Sequence, residues 1–192
     1  MARLVIVPDE TFQSLVPAMK VRLTSIAGEV TAENLIHLTG EDTIRLIFAS
    51  SYSRENLELL VWARSTRTYL VAWTSRTTAG EAGAITADLK SGLVHDIFTC
   101  GQPNLQSSDK LQASTWTNCE ENRGRKIQSV AGAPILLFGR CASVVTLVEY
   151  SKDQSSQSLC HRDLAELSSL TSLMGRLLEA QLVRALLGLE LQ

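Results

Sequence analysis

Long apolar runs are absent from this 192-residue sequence. No stretch approaches the roughly 18 consecutive apolar residues needed to cross a membrane. The short apolar run at residues 4–7 is followed by Pro8 and two acidic residues, without the cleavage site of a secretory signal. An excess of one charge is also absent, since 18 basic and 20 acidic residues leave a net charge of −2. These absences predict a cytoplasmic protein that binds neither nucleic acid nor membranes.

Cysteine is scarce and scattered. Four cysteines occur singly, without a C-x-x-C pair or a histidine at zinc-finger spacing: Cys100, Cys119, Cys141 and Cys160. This pattern predicts four reduced thiols and no structural metal site.

Recognisable catalytic motifs are also missing. The sequence has no nucleophile elbow, phosphate-binding P-loop, dinucleotide fingerprint or H-E-x-x-H pair. His95 and Asp96 are adjacent, but neighbouring helical residues point about 100° apart and do not face one substrate. We therefore predict no catalytic residues and no enzymatic activity.

The composition is that of a folded domain, with 45% hydrophobic and 20% charged residues. A chain of this length buries a substantial core without disulfides or metals. We predict one domain over residues 1–192, with a helical N-terminal segment at 1–38, a sheet with pocket loops at 39–150 and a terminal helix at 159–192.

Short β-rich segments alternate with polar turns through the middle of the chain. Residues 43–49, 57–63 and 68–74 predict an antiparallel meander of three strands. Residues 129–138 and 141–150 predict a hairpin with its turn at Gly139 and Arg140, and Pro134 indicates a sheet edge or a bulge. Between them we predict a short helix near residues 93–98, closed by Gly101, and a long polar loop with a short helix at 104–128.

The terminal segment carries more leucine than one helix face needs to pack on a sheet. Adjacent leucine pairs widen its apolar arc, which predicts a homodimer or another protein partner bound through this helix. The residues assigned to this interface are Leu173, Leu177, Leu178, Leu182 and Leu186.

Three segments together resemble the GAF domain, a sensory module built on an antiparallel sheet. Residues 38–49 resemble its passage from first helix to first strand, residues 90–103 its glycine-led helix ending in a Gly-x-Pro turn, and residues 129–149 its hairpin. The resemblance implies an α+β fold with an antiparallel sheet of about five to six strands and with the N- and C-terminal helices on one face. It also implies a pocket closed by the loops at 77–128, in which we place Trp116, His95, Asp109 and Cys119 as ligand-binding residues; the sequence does not identify a cofactor.

Two other functions remain open under the same resemblance. In the first, side chains fill the pocket and the domain acts only as a scaffold or adaptor. Alternatively, some stand-alone GAF proteins resemble methionine-sulfoxide reductases, a reading that would use Cys100 and Cys119. The pattern typical of covalent tetrapyrrole binding is absent, since the Cys160–His161 pair follows the hairpin rather than preceding it. The cyclic-nucleotide pattern, an Asn-Lys pair followed distantly by Phe and Asp-Glu, is absent too.

Overall fold

The computed structural model describes residues 41–49, 51, 56–76, 85–107, 116–117, 127–150 and 158–186. The helices in these ranges are α1 (Glu41–Phe48), α2 (Leu93–Cys100) and α3 (His161–Leu186). The strands are β1 (Leu57–Arg64), β2 (Tyr69–Thr74), β3 (Thr86–Ala87), β4 (Asn104–Ser107), β5 (Trp116–Thr117), β6 (Ile127–Leu137) and β7 (Arg140–Tyr150). The helical segment predicted at residues 1–38 lies outside the described residues.

One antiparallel sheet holds all seven strands in the order β4-β6-β7-β1-β2-β3-β5. Two of them, β3 and β5, are only two residues long. The predicted hairpin is the long β6–β7 pair, and its centre is the register of Ala133 with Val145. The antiparallel α+β fold predicted from the sequence is confirmed.

Alternation along the strands sends side chains to two separate cores, because successive strand residues point to opposite faces. Leu59 and Val61 of β1 join the core that α1 and α3 cover, whereas Leu60 and Trp62 join the core that α2 covers. Helices α1 and α3 therefore pack on one face of the sheet, and α2 packs on the other.

Residues 43–49, predicted as the first strand, instead form most of α1. The run is rich in β-branched residues, yet Ile44 and Phe48 are fully buried one helical turn apart, and Ile47 packs beside them. Arg45 lies with its guanidinium 5.8 Å from the ring centroid of Trp73, and Leu46 faces outward. Tertiary packing of one amphipathic face outweighs the local strand preference here.

The long segment after α2 also differs from the predicted loop. It begins with β4, which pairs with residues Ser129–Gly132 of β6, and it includes β5, which pairs with β3. Pro134 lies beyond the last β4 pair, at Gly132, and next to a register shift at Ile135. The predicted edge or bulge at this proline is confirmed, whereas the short helix predicted in this segment falls on residues outside the described ranges.

A buried carboxyl group anchors the start of α3 to the sheet. Glu149 of β7 is 1% exposed and accepts hydrogen bonds from the Ser129 hydroxyl (2.6 Å) and the Leu159 backbone N–H (3.1 Å). Asp163 then accepts from the Cys160 backbone N–H at 2.8 Å, which caps the first turn. Among the described residues, no helix is long and apolar enough to cross a bilayer.

In its middle, α3 approaches the sheet so closely that only glycine fits. A Cβ added at Gly175 would lie 2.5 Å from the backbone oxygen of Leu136 in β6. Backbone cannot swing aside as a flexible side chain does, so this contact fixes where the helix lies along the strand.

Because of the Gly175 contact, we expect a glycine-to-alanine substitution that usually stabilises a helix to destabilise this one. Glycine to alanine within a helix ordinarily gains about 1 kcal/mol of stability, but we expect Gly175→Ala to lose about 1–3 kcal/mol because α3 must move off β6. Ser172→Ala, at an exposed position of the same helix, serves as the control and should be neutral. Urea denaturation measures both, and a stabilised Gly175→Ala variant would contradict the contact.

Candidate functional site: a groove at the end of the β6–β7 hairpin

Two adjoining cavities lie where the C-terminal end of α2 meets the β6–β7 turn. The first has a volume of about 550 Å³ and is bordered by Arg64, Thr99, Cys100, Arg140 and Cys141. Its size falls within the usual range for small-molecule sites.

The second cavity has a volume of about 390 Å³ and lies between α3 and the segment that leaves α2. It is bordered by Ser168, Thr171, Arg176 and Glu179 of α3. Gly101, Gln102 and Leu136 border both cavities, so the two adjoin at the end of the hairpin. We refer to the two cavities together as the edge groove.

Left-handed backbone turns shape both walls of the first cavity. Gly101 ends α2 with φ 64°, and its N–H donates to the Ile97 carbonyl at 2.8 Å, as the predicted glycine cap requires. The hairpin turn has φ 50° at Phe138 and 81° at Gly139. The turn residues are thus Phe138 and Gly139, and Arg140 begins β7 rather than forming the turn.

The turn is also tied directly to the terminal helix. Glu179 of α3 accepts a hydrogen bond from the Phe138 backbone N–H at 2.6 Å. With the Gly175–Leu136 contact one helical turn earlier, this bond fixes α3 against the same hairpin end that borders the edge groove.

Cys141 is the more sheltered of the two thiols in the first cavity. Burial raises the pKa of the Cys141 thiol to about 12, outweighing a smaller lowering by the backbone of Ser143. The protonated thiol donates a hydrogen bond from Sγ to the Ser143 carbonyl at 3.3 Å. At neutral pH the group is therefore a neutral thiol and a poor nucleophile. Cys100 is exposed at the outer rim, and Cys160 is exposed elsewhere; all three described cysteines are free.

The raised pKa of Cys141 predicts that its thiol reacts slowly with alkylating reagents. At pH 8 we expect iodoacetamide to modify Cys100 and Cys160 well before Cys141, because the Cys141 thiolate is scarce below pH 12. Peptide mapping by mass spectrometry after timed labelling gives the order. In urea the difference should disappear, and persistence there would show that burial is not its cause.

His95 is half-buried on α2, beside the edge groove rather than in its wall. Its ring nitrogens lie 3.4 Å from the Tyr69 hydroxyl and 3.4 Å from the Thr99 hydroxyl. Tyr69 in turn stacks on Phe98 with 4.6 Å between ring centroids, and desolvation raises the pKa of its hydroxyl. His95 thus joins α2 to β2, and a ligand-binding role for it stays a prediction.

Of the other three predicted ligand-binding residues, the structure describes only the backbone of Trp116. The backbone of Trp116 pairs with Ala87 in the short edge strand β5, so it does not lie in a loop. Asp109 and Cys119 lie outside the described residues. In the described ranges, no cluster of His, Cys, Asp or Glu could hold a metal ion.

The predicted leucine interface divides in two. Leu178 and Leu182 are 1% and 7% exposed and belong to the core beneath α3, so assigning them to a partner surface was wrong. Leu173 and Leu177 are each 41% exposed and face outward one turn apart. The side chain of Leu186 is outside the described part of the structure.

Sequence reasoning missed a buried polar network on the α2 face. Glu58 is fully buried in β1 and accepts hydrogen bonds from the hydroxyls of Thr74 and Tyr150. Nearby, the Trp62 indole N–H donates to the Thr146 hydroxyl at 2.8 Å. A glutamate within an otherwise apolar strand was the available signal, since a buried carboxyl group requires partners.

This chain has the GAF fold, as the sequence resemblance implied. No family model and no curated protein matches the sequence. Solved structures are similar in fold: the GAF domain of an Acinetobacter phosphoenolpyruvate-protein phosphotransferase has a TM-score of 0.56 at 10% identity, with 92% of this chain and 97% of that chain covered.

Two further structures show the range of this fold. The GAF domain of a two-component sensor histidine kinase from Bacillus halodurans has a TM-score of 0.53 at 16% identity, with coverage of 77% of this chain and 99% of that one. A type II free methionine-R-sulfoxide reductase from Thermoplasma acidophilum has a TM-score of 0.54 at 11% identity, with coverage of 76% and 95%. The same fold thus occurs in a sensor protein and in an enzyme.

Proposed function

We propose that this chain is a regulatory domain that binds a small molecule in the edge groove and passes the bound state to a second copy or another protein through α3. The observation that carries the proposal is the continuity of groove, hairpin turn and terminal helix. Leu136 borders both cavities, contacts Gly175 through its backbone oxygen, and lies two residues before Phe138.

This continuity gives binding a route to the helix. A molecule in the first cavity contacts the hairpin end at Gly139 and Arg140. Any shift of that turn changes the geometry of the hydrogen bond from the Phe138 N–H to Glu179. Because packed elements shift between discrete arrangements rather than deforming continuously, a displaced turn biases the position of α3. The exposed pair Leu173 and Leu177 on the outer side of α3 is the surface through which we propose that a partner reads this change.

The reductase alternative receives no comparable support. Of the two cysteines it would use, Cys100 is exposed at the rim of the groove, and Cys119 lies outside the described residues. The other described thiol that borders the same cavity, Cys141, stays protonated at neutral pH.

Native mass spectrometry of the purified chain, followed by hydrogen exchange, tests the proposal. A co-purifying adduct should be present, and stripping it by unfolding and refolding should alter the exchange protection of α3. In Glu179→Ala, which removes the acceptor of the Phe138 N–H, α3 should no longer respond to an adduct that native mass spectrometry detects. Arg184→Ala, five residues further along α3 at an exposed position, should respond like the parent. A chain without an adduct, or an α3 indifferent to its removal, would overturn the proposal.

A further inference from the structure

We infer that the edge groove selects an anionic small molecule, one that carries at least two carboxylate or phosphate groups. The inference rests on the proposed function for its site and adds the chemical class of the ligand. Arg64 and Arg140 would hold one anionic group in the first cavity, and Arg176 would face the other from the second.

The edge groove is lined mainly by positive charge, although the chain as a whole has a small negative net charge. The whole sequence carries a net charge of −2, yet three arginines border the two cavities and Glu179 is the one acidic residue among the described lining. An oxygen of Glu179 is already engaged by the Phe138 N–H. The local excess of arginine therefore makes the groove attractive to anions, whatever the net charge of the chain.

No internal group neutralises these arginines in the described part of the chain. None of the three guanidinium groups has a hydrogen bond or an ion pair with a described residue. Among the nearby groups that could become anions, the buried Cys141 thiol and Tyr69 hydroxyl are kept protonated at neutral pH, because burial raises the pKa of each. The charge is left available to a ligand.

The chemistry of the lining fits carboxylate or phosphate better than a neutral group. A guanidinium presents paired N–H donors whose geometry matches two oxygens of a carboxylate or phosphate, and such charge-assisted bonds are stronger than neutral ones. The β1 end carries Arg64 and the β7 start carries Arg140, so two donor forks approach one cavity of about 550 Å³ from separate strands.

The second cavity contributes an independent observation. The Ser168 hydroxyl oxygen is buried and has no hydrogen-bond partner among the described residues, although such groups are normally satisfied. Ser168 borders the same cavity as Arg176, two helical turns earlier on α3. A polar ligand group seated beside Arg176 would supply the missing partner.

Calorimetric titration of the full chain tests the inference with two probes, pyrophosphate and citrate, at an ionic strength held constant with sodium chloride. We expect saturable binding of at least one probe with a Kd of about 1 mM or tighter. Arg64→Gln and Arg140→Gln should each weaken it about tenfold or more. Both side chains are exposed, so the variants should keep the parent circular dichroism spectrum.

Arg67→Gln is the matched control, because Arg67 is exposed on the β1–β2 turn and does not border the groove. It should bind like the parent. Absence of saturable binding up to about 10 mM, or equal weakening by Arg67→Gln, would overturn the inference. Preference for pyrophosphate over citrate would assign the ligand to the phosphates, and the reverse to the carboxylates; either supports it.

The outcomes also separate this inference from the proposed function. A neutral adduct that binds in the groove and alters α3 would overturn the anionic assignment while leaving the regulatory function intact. Pyrophosphate or citrate binding that depends on Arg140 but leaves hydrogen exchange in α3 unchanged would support the anionic assignment and remove the signalling role.

Discussion

Replacing Leu178 and Leu182 together with glutamate should unfold the domain, whereas the same replacement at Leu173 and Leu177 should leave it folded. The first pair lies in the core between α3 and the sheet, and the second pair is 41% exposed at each residue. Truncating a buried leucine costs about 2–5 kcal/mol, and a carboxyl group without a buried partner adds to this cost. Two such changes approach the whole 5–15 kcal/mol typical of a domain.

Circular dichroism and urea denaturation compare the two variants directly, since they carry identical chemistry on one helix. A cooperative unfolding transition in the Leu178/Leu182 variant with near-parent stability would show that α3 does not pack as described. Sedimentation of the folded Leu173/Leu177 variant then examines the partner surface. If two copies associate through α3, this variant should sediment as a monomer under conditions in which the parent chain is a dimer.

Glu149→Leu should destabilise the domain by about 3 kcal/mol, because it leaves the Ser129 hydroxyl without its acceptor in a buried site and leaves the Leu159 N–H with only its longer bond to the Ser129 hydroxyl oxygen. Asn56 loses a bond of 3.2 Å to the same carboxyl group. The start of α3 is the region attached by these bonds, so its first turns should also exchange amide hydrogens faster.

Glu149→Gln is the informative control, because its amide oxygen can still accept from Ser129 and Leu159 at nearly the same side-chain volume. We expect it to retain most of the stability that the leucine variant loses, as measured by urea denaturation. Equal losses in both variants would mean that packing rather than hydrogen bonding sets the cost.

Sequence pattern predicted the elements whose burial follows a regular period. Residues 57–63 and 68–74 are mostly apolar and form strands β1 and β2, and Gly101 ends α2 as predicted because a left-handed cap favours glycine. The strand prediction for residues 43–49 was wrong because it gave more weight to their β-branched content than to a second signal. That signal is the spacing of Ile44, Ile47 and Phe48, which fits a helix face.

The groove could not be predicted in the same way. Arg64 and Arg140 end and begin strands that are distant in the sequence, and only the sheet order brings them to one cavity. In the terminal helix the width of the leucine arc was visible, but its division was not. Leu177 and Leu178 are neighbours about 100° apart on the helix, and which of them is buried depends on how the Gly175 contact rotates α3 against β6.

The position of β1 in the sheet has a consequence for how the chain acquires its structure. Its two neighbours are β2, which follows at once, and β7, whose Tyr150 bonds to Glu58 across 92 positions of sequence. Closing so long a loop carries an entropic cost that slows folding. During synthesis, one backbone edge of β1 therefore stays unpaired until Tyr150 has left the ribosome. Throughout that interval another extended chain can pair with this edge.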